Sequence, residues 1–228
     1  MKKVTILIPV FNETKSLLKV LNKVETLNLG LEKEIIIIDD CSIDGTKELY
    51  KTINHKVLYH NVNLGKGAAL RTGLREATGD IIIIQDADLE YNPEDYIPLI
   101  NLIIEDKADV VYGSRLMNKS NNKNFLLLSY LANLTLSYIT RLLFKVKITD
   151  METCYKAFKA EIIKSIDIQS NKFDFEPEIT AKIIKKKVRF KEVPITYNAR
   201  TSNEGKKIGW KDGIQAIFAL IKYRYFVK

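Results

Sequence analysis

Four short runs dominated by aliphatic residues constrain this chain more than any other feature. They lie at residues 4–10, 34–38, 81–84 and 109–112, and polar or acidic residues end the second and third at once. A strand with one wet face alternates apolar and polar side chains, because successive residues point to opposite sides. A run that does not alternate is covered on both faces, which is the condition of a parallel sheet packed between helices. The stretches between the runs carry helical signals. Leu17, Leu18, Leu21 and Val24 form one stripe in a helix predicted from Glu13 to about residue 27. Residues 65–77 read as a loop entering a helix that Gly79 stops, and residues 93–107 as a further helix. A short strand is expected at 56–59. Alternating strands and helices predict an α/β fold with a mostly parallel central sheet flanked by helices. In such sheets ligands bind outside the carboxyl ends of the strands.

The polar residues fall at those ends. Asp39-Asp40 follows the second run, Gln85-Asp86-Ala87-Asp88-Leu89-Glu90 the third, and Gly113-Ser114-Arg115 the fourth. Asp86 and Asp88 are one residue apart, and Glu90 two further on. Carboxylates at such spacing suit a hard cation such as Mg²⁺ or Mn²⁺, which takes oxygen ligands and leaves room for phosphate oxygens. Asp86 and Asp88 are the expected metal ligands, with Glu90 either a third ligand or a solvated loop acid. Asp39, Asp40, Ser42 and Asp44 divide between helix capping before Gly45-Thr46 and ligand binding. Lys66 sits in a Gly-Lys-Gly turn into a helix, where it can meet phosphate or stand as a surface lysine. A Walker loop is absent. Arg115 can grip a phosphate with two parallel hydrogen bonds.

The second half is less regular. Residues 116–124 are polar and Asn/Lys-rich and read as a mobile loop; 125–146 read as a long apolar helix broken near Lys145. A helix is expected at 178–187, a strand at 189–194, and an amphipathic helix from Trp210 to the C-terminus. No linker forces a second domain, so residues 1–228 are expected to form one. His55 and His60 lack metal spacing and are read as surface or structural.

Charge is uneven. Residues 181–228 hold 13 Lys/Arg against 3 Asp/Glu, within a net charge of +8 for the chain. Such an end suits an anionic membrane, a phosphorylated ligand or nucleic acid, but no nucleic-acid motif is present. Two cysteines without ligand spacing fit a reducing cytosol. Residues 4–10 read as a first strand rather than a secretory signal. Residues 125–144 contain Asn133 and Arg141, which argues against a membrane span.

Taken in order, Ile8-Pro9-Val10-Phe11-Asn12-Glu13, Ile38-Asp39-Asp40-Cys41-Ser42-Ile43-Asp44-Gly45-Thr46, Asn63-Leu64-Gly65-Lys66-Gly67-Ala68-Ala69, Gln85-Asp86-Ala87-Asp88, Gly113-Ser114-Arg115 and Glu204-Gly205-Lys206-Lys207 resemble a family 2 glycosyltransferase of the GT-A, Rossmann-like fold. Within it the resemblance is to the dolichyl-phosphate mannose or glucose synthase branch, and it spans residues 4 to about 213. It implies a metal-dependent, inverting transfer from a nucleotide-diphospho-sugar (GDP-mannose or a UDP-sugar) to a polyprenyl phosphate. It implies that Asp40 meets the base, with Pro9, Phe11 and Glu13 lining base and ribose, and that Lys66 and Asp86 also bind the donor. Asp88, Arg115, Arg200 and Lys206 are the expected catalytic residues, with Arg200 and Lys206/Lys207 closing over donor diphosphate and acceptor phosphate.

Asp150 and Glu152 are expected at the acceptor, either as general base or as positioning groups. A lipid phosphate, with a second pKa of about 6, needs no proton removed. A hydroxyl acceptor in glycan synthesis is the alternative, and it requires such a base. Glu176 and Glu178 are read mainly as capping and packing residues. The apolar helices around 125–146 and 210–227, with their aromatic and basic residues, suit a peripheral enzyme on the cytosolic membrane face. A membrane-protein partner is compatible with that placement, and a non-catalytic membrane-associated module is the remote alternative.

Overall fold

Every apolar run becomes a strand of one seven-stranded sheet in the computed structural model, which describes residues 1–118, 127–200 and 210–227. The strands are β1 (Lys3–Val10), β2 (Glu32–Asp39), β3 (Lys56–Tyr59), β4 (Ile81–Ile84), β5 (Val110–Ser114), β6 (Lys156–Lys159) and β7 (Phe190–Pro194), in the spatial order β3-β2-β1-β4-β6-β5-β7. The helices are α1 (Leu17–Thr26), α2 (Thr46–Leu49), α3 (Lys66–Glu76), α4 (Tyr96–Ile104), α5 (Leu127–Phe144), α6 (Ala160–Lys164), α7 (Phe175–Lys185) and α8 (Trp210–Tyr225). All four β4 isoleucines are buried, as a central strand covered on both faces requires.

Chain order and spatial order part between β1 and β4, leaving a crevice at the carboxyl ends. β1 pairs in parallel with both β2 and β4, and β5 in parallel with β7. β6 alone is antiparallel, wedged between β4 and β5. That single reversal serves the site. The rim bearing the carboxyl ends of β1, β2, β4 and β5 also bears the amino end of β6, so the residues before Lys156 arrive beside Asp86 and Arg115. β7 then carries the chain back to the same rim at Ile195.

Sequence expectations and structure differ at several boundaries. β6 has no counterpart in the sequence reading, because its four residues begin and end with lysine and show no strand pattern. α1 starts at Leu17 rather than Glu13, after a turn in which Ser16 N–H and Leu17 N–H donate to Glu13 O. The helix at 93–107 opens as a 3-10 turn and ends at Ile104. α7 begins at Phe175, three residues before expectation. α5 stops where Lys145 adopts φ +53°, the expected break. Most of the predicted loop at 116–124 lies outside the described residues.

Candidate active site

Two loops build the β1–β2 side of the crevice. Asn12 (φ +56°) accepts Ile43 N–H through Oδ1, while its own N–H donates to Ser42 Oγ. Asp39 is consumed by the fold: its carboxylate accepts Ser42 N–H and Tyr50 O–H. Asp40 is equally engaged. It accepts Leu64 N–H at 2.9 Å, Gly65 N–H at 2.7 Å and the His60 ring at 2.7 Å, so it shapes the turn into α3. His60 is therefore structural, reaching Thr72 with its other nitrogen. Pro9 and Phe11 are half-buried at the end of β1. Glu13 faces the same space, and its carboxylate takes the Arg200 guanidinium at 2.8 and 3.2 Å.

Tight packing fixes where α3 begins. A side chain on Gly67 would come within 2.4 Å of Ser170 O, and one on Gly65 within 2.5 Å of Asn171 O. Only glycine lets the two backbones meet so closely. This contact aims Lys66 at the end of β4, where its ammonium lies 2.9 Å from Asp86 Oδ1 and 3.2 Å from Asp86 Oδ2. Burial, the largest single influence, would raise the Asp86 carboxyl, but the Lys66 charge and hydrogen bond, with Cys154 and the Lys156 charge, together hold it low.

Asp88 has no salt-bridge partner among the described residues, and its Oδ1 accepts Glu90 N–H at 3.1 Å. Burial first, then the charges of Asp86 and Glu90, push its carboxyl up to about 8. Glu90 is spoken for: Oε1 accepts Arg200 N–H at 2.8 Å, Oε2 accepts Tyr197 O–H at 3.2 Å, and its carbonyl accepts Asn198 N–H. Arg200 also donates through Nε to Asp88 O. The segment after β7 is thus strapped over the acidic loop. Leu89, between the two acids, holds φ +65°, a costly conformation for a side-chain-bearing residue. Lys206 and Lys207 lie outside the described residues.

Arg115 and Asp150 form the third part. Arg115 Nε and Nη2 lie 2.7 and 2.8 Å from the Asp150 oxygens, and Arg115 N–H adds a third bond at 2.9 Å. Asn133 of α5 donates a fourth at 2.7 Å. Asp150 is fully buried and, despite that burial, held low by the Arg115 charge. The fork expected to grip phosphate is directed at Asp150 here, with the rings of Tyr197 and Tyr91 beside the guanidinium. Glu152 is the opposite case. Its buried Oε1 has no hydrogen-bond partner among the described residues. Burial, then the charge of Glu176, push its carboxyl up to about 7 against the pull of Lys156 and Arg115.

Sequence reasoning missed one constellation. Glu176, in the first turn of α7, sits between two lysines. Lys66 Nζ is 3.2 Å from Glu176 Oε1, and the fully buried Lys156 Nζ donates to Glu176 Oε2 and Thr153 O. The Lys156 ammonium also lies 4.7 Å from the Tyr112 ring centre. A buried lysine reads like any other in a sequence; its apolar neighbours Tyr155, Ala157 and Phe158 are the one available signal. Glu178 behaves as a packing residue, accepting Gln169 N–H and Ser170 N–H.

The donor set fits a divalent cation shared with phosphate. Among the described residues no group of three acidic, His or Cys side chains makes a ready cage. A phosphate-bridging Mg²⁺ commonly uses one or two carboxylates and takes its other ligands from phosphate and water. Asp88, raised by burial and then by the charges of Asp86 and Glu90, is the oxygen donor such an ion would relieve.

A family model described as Glycosyl transferase family 2 matches residues 5–167. The chain is 34% identical to UDP-N-acetylglucosamine--dolichyl-phosphate N-acetylglucosaminyltransferase of Methanococcus voltae, over 85% of each chain. It is 29% identical to dolichol-phosphate mannosyltransferase of Pyrococcus furiosus, over 98% of this chain and 63% of that one. Among solved structures it resembles glucosyl-3-phosphoglycerate synthase from Mycobacterium tuberculosis, in complex with Mn²⁺, uridine diphosphate and phosphoglyceric acid. The TM-score is 0.76 at 18% identity, over 98% of this chain and 79% of that chain. That similarity shows the GT-A fold.

Proposed function

The chain belongs to glycosyl transferase family 2, and we propose that it transfers a sugar from a nucleotide-diphospho-sugar to a polyprenyl phosphate, with inversion at the sugar carbon. The observation that carries this reading is the convergence of three strand ends on one crevice: Asp40 and Glu13, Asp86 and Asp88, and Arg115 with Asp150. Pro9, Phe11 and Glu13 line base and ribose, with Asp40 shaping the adjoining turn. A divalent cation (Mg²⁺ or Mn²⁺) held by Asp88 and Asp86 would stabilise charge gathering on the leaving nucleoside diphosphate. Lys66 adds charge on the diphosphate side. Arg200, paired with Glu13, is the cation nearest to turn toward the phosphates, and Lys206 is the second residue assigned to them from the sequence. Asp150 is a positioning group: four donors occupy its carboxylate and its proton affinity is low, so it holds Arg115 rather than taking a proton.

The acceptor phosphate supplies its own negative oxygen for attack on the sugar carbon. Two relatives whose names specify dolichyl or dolichol phosphate favour that acceptor. A second reading has a specific observation behind it. Glu152, raised to about 7 and with an unpartnered oxygen, has the properties of a general base for a hydroxyl acceptor. Glu152→Gln separates the two. With a lipid phosphate, the variant keeps its turnover; with a hydroxyl acceptor, it loses about 10²-fold or more, the usual contribution of acid–base catalysis.

A lipid-phosphate acceptor would be met at a membrane surface. No helix among the described residues is long and apolar enough to cross one. Yet α8 exposes Ile214, Phe218, Ile221 and Tyr225, one stripe at i, i+4, i+7 and i+11. Packed beside it, α5 exposes Leu131, Tyr138 and Leu142. Arg141 lies over Tyr138, and Arg224 over Tyr225. Apolar stripes with flanking cations suit peripheral contact with anionic lipid. The opposite side of α5 carries Asn133 into the Asp150 site, so one helix joins membrane contact to acceptor binding.

The direct test supplies dolichyl or undecaprenyl phosphate in detergent with GDP-mannose, UDP-glucose or UDP-N-acetylglucosamine, with and without Mn²⁺. Metal-dependent formation of one glycolipid supports the reading. Donor hydrolysis or transfer to hydroxyl acceptors alone would overturn the lipid-phosphate acceptor.

A further inference from the structure

Asp86 cannot serve a metal and keep its present partner unchanged, because Lys66 lies within 3.2 Å of both its oxygens. A divalent cation arriving at Asp86 and Asp88 would meet an ammonium already in place, and like charges repel in a site where burial strengthens every Coulomb term. Lys66 has somewhere to go. Glu176 Oε1 lies 3.2 Å from its nitrogen, is buried, and makes no aligned hydrogen bond to any described group. The other oxygen, Oε2, is held by Lys156, which is itself fixed by Thr153 O and the Tyr112 ring. Glu176 is therefore a rigid carboxylate with one oxygen anchored and one turned to Lys66.

We propose that Glu176 is a positioning residue that receives the Lys66 ammonium when the donor's metal takes Asp86, so that the buried row Asp86–Lys66–Glu176–Lys156 acts as a counter-ion relay. The inference rests on the donor site proposed above and goes beyond it, since Glu176 touches neither metal nor sugar. In the resting protein Lys66 neutralises Asp86. In the loaded protein the cation neutralises Asp86, and Glu176 neutralises Lys66. No charge in this row is left unpaired in either state, which a row without Glu176 could not achieve. Lys156 keeps Glu176 from following Lys66 toward the metal.

The readout is the factor by which saturating Mn²⁺ tightens nucleotide binding, measured by calorimetry with UDP and GDP as probes. This ratio cancels any part Lys66 plays in binding phosphate directly. Glu176→Gln, which keeps shape and an acceptor oxygen, shrinks the factor by on the order of tenfold, as loss of groups that orient metal ligands commonly does. Lys66→Met removes the competitor and enlarges it. In the Lys66→Met background, Glu176→Gln leaves it unchanged, because the two act through one contact. An equal loss from Glu176→Gln in both backgrounds, or no loss in the wild-type background, overturns the relay. So does a factor that falls or stays constant in Lys66→Met, and this single variant decides the matter should Glu176→Gln fail to fold. A wild-type protein that binds neither nucleotide removes the donor site itself and the relay with it, whereas wild-type binding with the wrong mutant pattern removes only the relay.

Discussion

Two carboxylates show how environment divides residues of one type. Asp150 is held low against its burial by the Arg115 charge and by hydrogen bonds from Arg115 and Asn133, while Asp88 is pushed up to about 8 by burial and its acidic neighbours. An unfolded aspartate titrates near pH 3.9. The folded, metal-free protein therefore binds the extra proton at Asp88 between about pH 4 and 8, and stability falls as pH rises through that window. Asp88→Asn removes the penalty. Its melting temperature without metal is expected above wild type at pH 8, with the difference vanishing toward pH 4 and with stabilisation by Mn²⁺ and nucleotide lost; an unchanged or lower melting temperature at pH 8 would refute the burial argument. Asp150→Asn has the opposite sign. It leaves a buried guanidinium without its charge partner and is expected to cost about 3–5 kcal/mol in urea denaturation, as breaking buried ion pairs does. Asp86, Asp88 and Arg115 were legible as strand-end residues because each follows an apolar run. Their partners were not. Nothing in the order of residues tells that Arg115 meets Asp150, 35 positions later, or that Glu176 lies between Lys66 and Lys156.

Helices and strands were legible to the degree that their burial is periodic. β1, β2, β4 and β5 declared themselves by runs dominated by aliphatic residues. β6 did not, because its two buried lysine and aromatic positions are specified by tertiary partners rather than by local pattern. That strand matters most to the site, since its reversed direction brings Asp150, Glu152 and Lys156 to the crevice. α5 was legible as a long apolar helix and α8 as an amphipathic one, and the structure divides the faces of both. Ala216, Leu220 and Tyr223 turn inward, while Phe218 is 68% exposed. Surface substitutions away from special features usually move stability within about 0.5 kcal/mol. The double variant Leu142→Glu, Phe218→Glu is thus expected to melt like wild type but to be released from vesicles containing phosphatidylserine in co-sedimentation. Equal retention of variant and wild type would show that this face does not dock on lipid.

The fold of the whole molecule follows from one rule: carboxyl ends of parallel strands gather polar residues from distant parts of the chain on a single rim. Asp40, the Asp86/Asp88 pair and Arg115 with Asp150 then follow in the order of strands β2, β4 and β5, with α5 linking the Asp150 end to the exposed helical face. Everything proposed for the crevice depends on a donor site at Asp86 and Asp88 that needs a divalent cation. Thermal stabilisation by UDP and GDP, and by their glucose, N-acetylglucosamine and mannose conjugates, tests it most directly when measured with and without Mn²⁺. A ligand that binds only the folded state raises stability by about 2.7 kcal/mol at a hundred times its dissociation constant. One nucleotide series is expected to raise the melting temperature only when Mn²⁺ is present, and to lose that effect in Asp88→Asn. A shift independent of metal, or one that survives Asp88→Asn, would contradict the assignment.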